Sequence, residues 1–217
     1  MLALPARPLL SLSGLYALTP DCADTAQLVA QVRSALRGGA SAIQYRNKTA
    51  AAALRLAQAR ALRETCSRHN AVFIVNDDVE LAHRVGADGV HLGHDDGPIA
   101  DARRRLGPEA IIGVSCYDSL TRAEIAVGGG ADYIAFGSFF ASAVKPGAVR
   151  APVSLLAAAR DRWDTPVVAI GGITVANAAS LIAAGADAIA VITEIFAAPD
   201  IEASARALAA LFARHVT

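Results

Sequence analysis

The sequence predicts one closed (β/α)8 barrel over residues 1–217, with about the first 13 residues as an N-terminal extension. Three observations carry this expectation: the chain length, eight alternations of aliphatic runs with helical stretches, and a short motif repeated once per quarter of the fold. The 217 residues suit one complete barrel and are too few for two such domains. A chain of this size buries roughly 70–75% of its unfolded surface, and 54% hydrophobic residues can fill that interior.

Strands are expected near 14–18, 42–45, 72–75, 89–92, 111–115, 133–136, 167–170 and 188–191. They read as continuous Val, Ile, Leu, Ala and Phe, as parallel strands covered by helices do. Between them lie helical patterns at Thr25–Arg37, Ala50–His69, Leu120–Val127, Val153–Arg160 and Val175–Ala184, with Ile201–Arg214 at the end. A doubly wound open sheet is the competing arrangement, but it usually runs to about five or six strands. The repeat favours closure: Gly39-Ala40-Ser41, Gly86-Ala87-Asp88, Gly130-Ala131-Asp132 and Gly185-Ala186-Asp187 each end a helix and enter an even-numbered strand. The glycine suits a helix C-terminal stop, and the Asp suits a loop cap on the N-terminal face.

Twenty basic and twenty acidic side chains cancel, with no basic stripe, so a nucleic-acid partner is not expected. Every apolar run breaks well short of a bilayer's thickness, so no membrane span is expected. Met1–Leu12 has no clear cleavage site, which argues against a signal peptide. Cys22, Cys66 and Cys116 are odd in number, widely spaced and without a CxxC pair, as expected of reduced thiols in a cytoplasm. A homo-oligomer stays open.

In a barrel, chemistry belongs at the C-terminal ends of the strands. After the second strand, Gln44, Arg46 and Lys48 alternate, which in extended chain puts one amide and two cations on one side. They suit a polyphosphate attached to a polar ring. Asn76-Asp77-Asp78 follows the third strand and His91 to Asp96 the fourth. Asp77 and Asp96 could share Mg2+, which takes one or two carboxylates along with waters and phosphate oxygens. Asp78 reads as the cap of the next helix; Asp95 and Asp96 serve equally well as caps before Pro98. His91 and His94 invite a zinc reading, but no third nitrogen or sulfur ligand is apparent. His91 is better read as lining the pocket.

Ser115 ends the fifth strand, where its hydroxyl could meet substrate or merely enter a helix. The loop Phe136–Gly147, with glycines, small residues and Lys145, suits a flap over phosphates or a plain surface loop. Ile170-Gly171-Gly172-Ile173 and Val191-Ile192-Thr193-Glu194 end the seventh and eighth strands, where barrels commonly cradle phosphate on backbone N–H groups. The chain is therefore expected to hold two separate anionic groups.

Gln44-Tyr45-Arg46-Asn47-Lys48, Val75-Asn76-Asp77-Asp78, Gly89-Val90-His91-Leu92-Gly93 with Asp95-Asp96, Gly113-Val114-Ser115, Lys145 and Ala169-Ile170-Gly171-Gly172-Ile173 together resemble the thiamine phosphate synthase family. The resemblance runs from about residue 14 to 196 in family order. It implies a transferase that joins 4-amino-2-methyl-5-hydroxymethylpyrimidine diphosphate to a thiazole phosphate and releases pyrophosphate. It implies that Gln44, Arg46, Lys48, Asn76 and Lys145 hold the pyrimidine diphosphate, that Tyr45 and Asn47 are among the substrate-binding residues, and that Ser115 touches the pyrimidine. Arg46, Lys48, Ser115 and Lys145 would be the catalytic groups. It also implies Mg2+ on Asp77 and Asp96, a thiazole contact at Ser142, Ala143 and Val144, and a thiazole-phosphate site at Gly172, Ile192 and Thr193. Departures are Ala141-Ser142-Ala143-Val144-Lys145 for a flap of Pro-Thr-x-Thr-Lys, His94 for Gln, Asn47 for Glu and Thr193 for Ser. The competing functions are a thiazole tautomerase on the same barrel, which has no need of a diphosphate and metal set, and a non-catalytic thiazole-phosphate-binding protein.

Overall fold

The computed structural model describes residues 12–93, 95–141, 147 and 149–213. Its strands are β1 (Gly14–Leu18), β2 (Ala40–Tyr45), β3 (Val72–Asn76), β4 (Gly89–Leu92), β5 (Ile111–Tyr117), β6 (Tyr133–Phe136), β7 (Val167–Ile170) and β8 (Ala188–Val191). The helices are α1 (Thr25–Arg37), α2 (Ala52–Arg68), α3 (Val79–Val85), α4 (Ile99–Leu106), α5 (Leu120–Gly128), α6 (Ser154–Arg160), α7 (Ala178–Ala183), α8 (Thr193–Phe196) and α9 (Ile201–Ala213). All strands are parallel, and β1 pairs with β8 in the register Gly14↔Ala188 to Ala17↔Val191, which closes the barrel. The expected closed barrel is what forms.

Although each strand reads as an unbroken apolar run, its two faces do different things. Ile43, Phe73, Val90, Ile112, Phe136 and Ile189 pack into the layer shared with the helices. Tyr16, Leu18, Ile74, Tyr133, Val168 and Ala190 fill the inside of the barrel. Both faces are buried, so hydropathy cannot alternate along the strand, but side-chain direction still does.

Several boundaries differ from the sequence expectation. Strand β2 starts at Ala40, because Leu15 already pairs with Ala40 across a register shift in β1. Strand β5 runs on to Tyr117 through a second shift between Ser115 and Tyr117. Helix α7 is only Ala178–Ala183: the backbone N–H of Thr174 donates to the Asn177 side chain, which makes a turn of the segment expected to be helical. Leu12, counted with the N-terminal extension, is buried in the barrel's inner cluster.

The quarter repeat becomes a repeated clip. Asp88, Asp132 and Asp187 each accept a backbone N–H from the first or second residue of the strand one module earlier, from Phe73, Ile112 and Val167 at 2.7–2.8 Å. Each also pairs with an arginine of the preceding helices: Arg63, Arg103 and Arg160. A side-chain acceptor thus satisfies a strand-end N–H that the barrel ladder leaves over. In the first quarter Ser41 takes the position and donates to the Ser13 carbonyl instead. Among the described residues, no helix is long and apolar enough to cross a membrane.

Candidate active site

Past the end of β2 the alternation of side chains continues, and it sorts the expected diphosphate set onto two sides. Gln44 is buried inside the barrel and donates from Nε2 to the Tyr16 hydroxyl at 2.7 Å. Arg46 reaches Asp21 at 3.4 Å, and Lys48 reaches Asp77 at 3.4 Å. Tyr45 and Asn47 turn the other way. The Tyr45 hydroxyl donates to Gln58 Oε1 at 2.8 Å, and Asn47 Nδ2 lies 3.0 Å from the same oxygen and 2.7 Å from the Cys22 carbonyl. Burial pushes the Tyr45 phenol up to about 12. Their polar atoms are committed to a fully buried Gln58, so the structure gives them the work of holding this loop. Thr19 completes the hold, accepting from the Arg46 N–H and donating to the Arg46 carbonyl, both at 2.9 Å.

Asp77 follows β3 with φ of +63°, a left-handed conformation that Asp tolerates better than most residues. Its N–H donates to the His91 carbonyl at 2.8 Å, which ties the end of β3 to β4. Asp78 caps α3 by accepting from the Leu81 N–H at 2.8 Å, as expected. Neither Asp95 nor Asp96 caps α4, whose N-cap is Pro98 without a side-chain bond. Asp96 instead folds back to accept from the Gly93 N–H at 2.7 Å. A Cβ on Gly93 would stand 2.8 Å from that carboxylate oxygen, so a side chain there would push the Asp96 carboxylate aside. Burial and the neighbouring Asp96 carboxyl raise the Asp77 pKa, with Lys48 opposing. Two carboxyls held against each other fit a divalent cation, because the positive charge removes the repulsion that proximity creates.

Inside the barrel, His91 Nδ1 lies 2.8 Å from the Tyr133 hydroxyl and Nε2 lies 2.8 Å from Ser115 Oγ. The Tyr133 hydroxyl is 3.0 Å from that of Tyr16. Both ring nitrogens of His91 are thereby occupied, which leaves the zinc reading without its first ligand. Among the described residues no three His, Cys, Asp or Glu side chains form a metal-binding group.

On the opposite side, Gly171 and Gly172 have φ of +103° and +65°. A Cβ on Gly171 would overlap Ser138, and one on Gly172 would overlap the carbonyl of Ala141. The glycines therefore also let the base of the β6 loop lie against the end of β7. The Asn177 amide donates to the Gly172 carbonyl at 3.1 Å and steadies the cradle. Ile192 and Thr193 stand at the entry to α8.

Two cavities open at this end. One of about 170 Å³ is lined by Arg46, Lys48, Arg55, Asn76, Asp77 and Asp78, with Tyr45 and Asn47 in its wall. The other, of about 290 Å³, lies between Pro20, Asp21, Arg46, Ile192, Thr193 and Phe196. Arg46 forms the wall between them. Ser142, Ala143, Val144 and Lys145, with His94, lie outside the described residues.

The chain matches the thiamine monophosphate synthase family over residues 15–195. The chain belongs to that family. It is 57% identical over 199 residues to the thiamine-phosphate synthase of Chromobacterium violaceum, across 92% of this chain and 96% of the relative. To the thiamine-phosphate synthase of Thioalkalivibrio sulfidiphilus it is 56% identical over 202 residues, 93% of this chain and 96% of the relative. The solved thiamine phosphate pyrophosphorylase of Pyrococcus furiosus superposes with a TM-score of 0.85 at 35% identity, covering 95% of this chain and 98% of that one. A 3-hexulose-6-phosphate synthase from Salmonella typhimurium shares only the fold, at a TM-score of 0.71 and 17% identity. As a member of the thiamine monophosphate synthase family the chain is a transferase, with thiamine phosphate synthase activity.

Sequence reasoning missed several residues that this family member uses to build its site. Tyr16 and Tyr133 were hidden because a tyrosine in an apolar strand reads as core. Gln58, Asp21 and Thr19 were hidden because their partners are 11 to 36 residues away. The parity of Gln44–Lys48 was the one available signal, since it places Tyr45 and Asn47 opposite the two cations.

Proposed function

We propose that the chain condenses 4-amino-2-methyl-5-hydroxymethylpyrimidine diphosphate with 4-methyl-5-(2-phosphoethyl)thiazole, or its carboxylated form, with Mg2+ on Asp77 and Asp96. The observation that carries this reading is the placement of Arg46 between two cavities, one bearing Lys48 and the Asp77 carboxylate, the other bearing Ile192 and Thr193. A diphosphate and a separate phosphate can then be held at once with a cation between them.

Asp77 and Asp96 would hold Mg2+, which would supply positive charge to stabilise the leaving diphosphate. Arg46 and Lys48 add two cations at the same end, and Asn76 adds an amide. Their charge is in place before the reaction, so it stabilises the negative charge that builds as the methylene C–O bond breaks. Pyrophosphate leaves with the bonding electron pair, and the thiazole nitrogen supplies the pair for the new C–N bond, so no proton transfer is required. Gly172, Ile192 and Thr193 hold the thiazole by its phosphate and provide proximity. Lys145 adds a further cation for the diphosphate, and Ser142, Ala143 and Val144 are the residues assigned to the thiazole. The three cysteines are free thiols, which supports a reducing, cytoplasmic setting.

The test is pyrophosphate release from the purified protein with both substrates and Mg2+, repeated after chelation. Thiazole-phosphate binding without product would refute the synthase reading. Asp77→Asn is expected to lower turnover far more than it weakens thiazole-phosphate binding; equal loss of both would make Asp77 structural.

A further inference from the structure

Five polar side chains cross the inside of the barrel in one hydrogen-bonded line: Gln44, Tyr16, Tyr133, His91 and Ser115. Four of them are 8% exposed or less, so water does not compete along most of its length. The line has a direction, and its direction is set at the Gln44 end. The amide Nε2 can only donate, so the Tyr16 oxygen accepts and the Tyr16 proton remains to be placed. Its other partner is the Tyr133 hydroxyl, 3.0 Å away, so Tyr16 donates to Tyr133. Tyr133 then has its own proton to give, and His91 Nδ1 stands 2.8 Å from it. A ring nitrogen that accepts carries no proton, so the proton of the imidazole sits on Nε2 and is donated to Ser115 Oγ at 2.8 Å. Ser115, having accepted, keeps its own proton for whatever stands in the barrel mouth.

We propose that this line fixes His91 as the Nε2-protonated tautomer and thereby makes Ser115 a hydrogen-bond donor to the substrate. The inference rests on the reading of Ser115 as a substrate contact. It deepens that reading in one respect: the substrate atom over Ser115 is an acceptor, such as a heteroaromatic ring nitrogen, and not an amino group. The opposite arrangement, with Ser115 donating to His91, would send every proton back along the line and leave the Tyr16 proton facing the donor Gln44. A buried hydroxyl without an acceptor loses its hydration with nothing in return, which selects against that arrangement. Bonds pointing one way along such a line also polarise one another in the same sense. Gln44, Tyr16 and Tyr133 are therefore positioning residues for a hydroxyl on the far wall of the barrel.

The tautomer can be read in the full-length protein without substrate. With ring-15N histidine, a long-range proton–nitrogen spectrum distinguishes a bare from a protonated ring nitrogen, and the His91 signals are those missing from His91→Gln or shifted in Ser115→Ala. The expected pattern is a bare Nδ1 and a protonated Nε2, lost or mixed in Tyr133→Phe. The reverse pattern in the wild type would overturn the inference. In the condensation assay, Ser115→Ala and His91→Ala are expected to lower kcat about 100-fold, with KM for the thiazole phosphate little changed. His91→Gln returns an N–H near the Nε2 position and is expected to keep more turnover than His91→Ala. The expected ring pattern with full turnover in Ser115→Ala would instead sink Ser115 as a substrate contact, and the donor role with it.

Discussion

Gly172→Ala separates two demands that meet at the end of β7. The backbone there has φ of +65°, and moving a residue with a Cβ into that region costs about 1–2 kcal/mol. The new Cβ would also overlap the Ala141 carbonyl and stand 2.7 Å from the Phe140 carbonyl carbon. Those are main-chain atoms, which cannot swing aside as a side-chain tip can, so overpacking adds about 1–3 kcal/mol. The total is about 2–5 kcal/mol. Gly86→Ala supplies the control: its φ is +62°, but nothing lies within 4 Å of the new Cβ, so only the conformational cost of about 1–2 kcal/mol applies. Urea denaturation of the three proteins measures the difference. In a chain of this size each kcal/mol lowers Tm by about 2–4 °C. Gly172→Ala is further expected to weaken thiazole-phosphate binding, since the displaced β6 loop and the cradle share this contact, while Gly86→Ala leaves binding intact. Equal stability losses with unchanged binding in both variants would refute the assignment of the Gly171-Gly172 pair to close backbone packing at the site.

Gln58→Leu removes the acceptor of the Tyr45 hydroxyl and one partner of Asn47 in a fully buried place. It is expected to cost about 1–3 kcal/mol and to raise KM for the pyrimidine diphosphate more than for the thiazole phosphate; equal KM effects would show that Gln58 does not hold the Arg46–Lys48 loop. At alkaline pH the buried Cys66 and Cys116 thiols and the Tyr45 phenol, all pushed up to about 12 by burial, keep protons that the unfolded chain releases at about 8.5–10. The native state then binds more protons than the unfolded one. Stability is expected to be full below about pH 8.5 and to fall as pH rises toward 12, by up to about 1.4 kcal/mol per pH unit for each group. Urea midpoints at successive pH values measure this, and a flat profile would mean that the groups are not held protonated.

Much of the barrel and the addresses of its site were legible because both depend on order along the chain. In a parallel barrel every strand ends at the same face, so Gln44, Asn76, His91, Ser115, Ile170 and Val191 could be placed at that face from strand positions alone. The role of Asp96 was not legible, since an Asp before Pro98 satisfies the rules for a helix cap as well as those for a cation ligand. Only the fold-back of Asp96 to Gly93, with Pro98 as the N-cap of α4, removed the cap alternative. Asp78 needed no such arbitration: its cap bond to Leu81 spans three residues and follows from local sequence.

What the sequence determined by itself was therefore the periodic part: eight alternations, the quarter repeat, and the parity that puts Arg46 and Lys48 on one side. These follow from local propensity and from the two-residue period of extended chain. Tertiary structure alone decided which groups share a proton or a charge. Tyr16 and Tyr133 meet across 117 residues of chain, and His91 reaches Ser115 across 24. Closure of the barrel brings Tyr16 of β1 to Tyr133 of β6, and the pairing of β4 with β5 brings His91 beside Ser115; no local pattern along the chain encodes either contact.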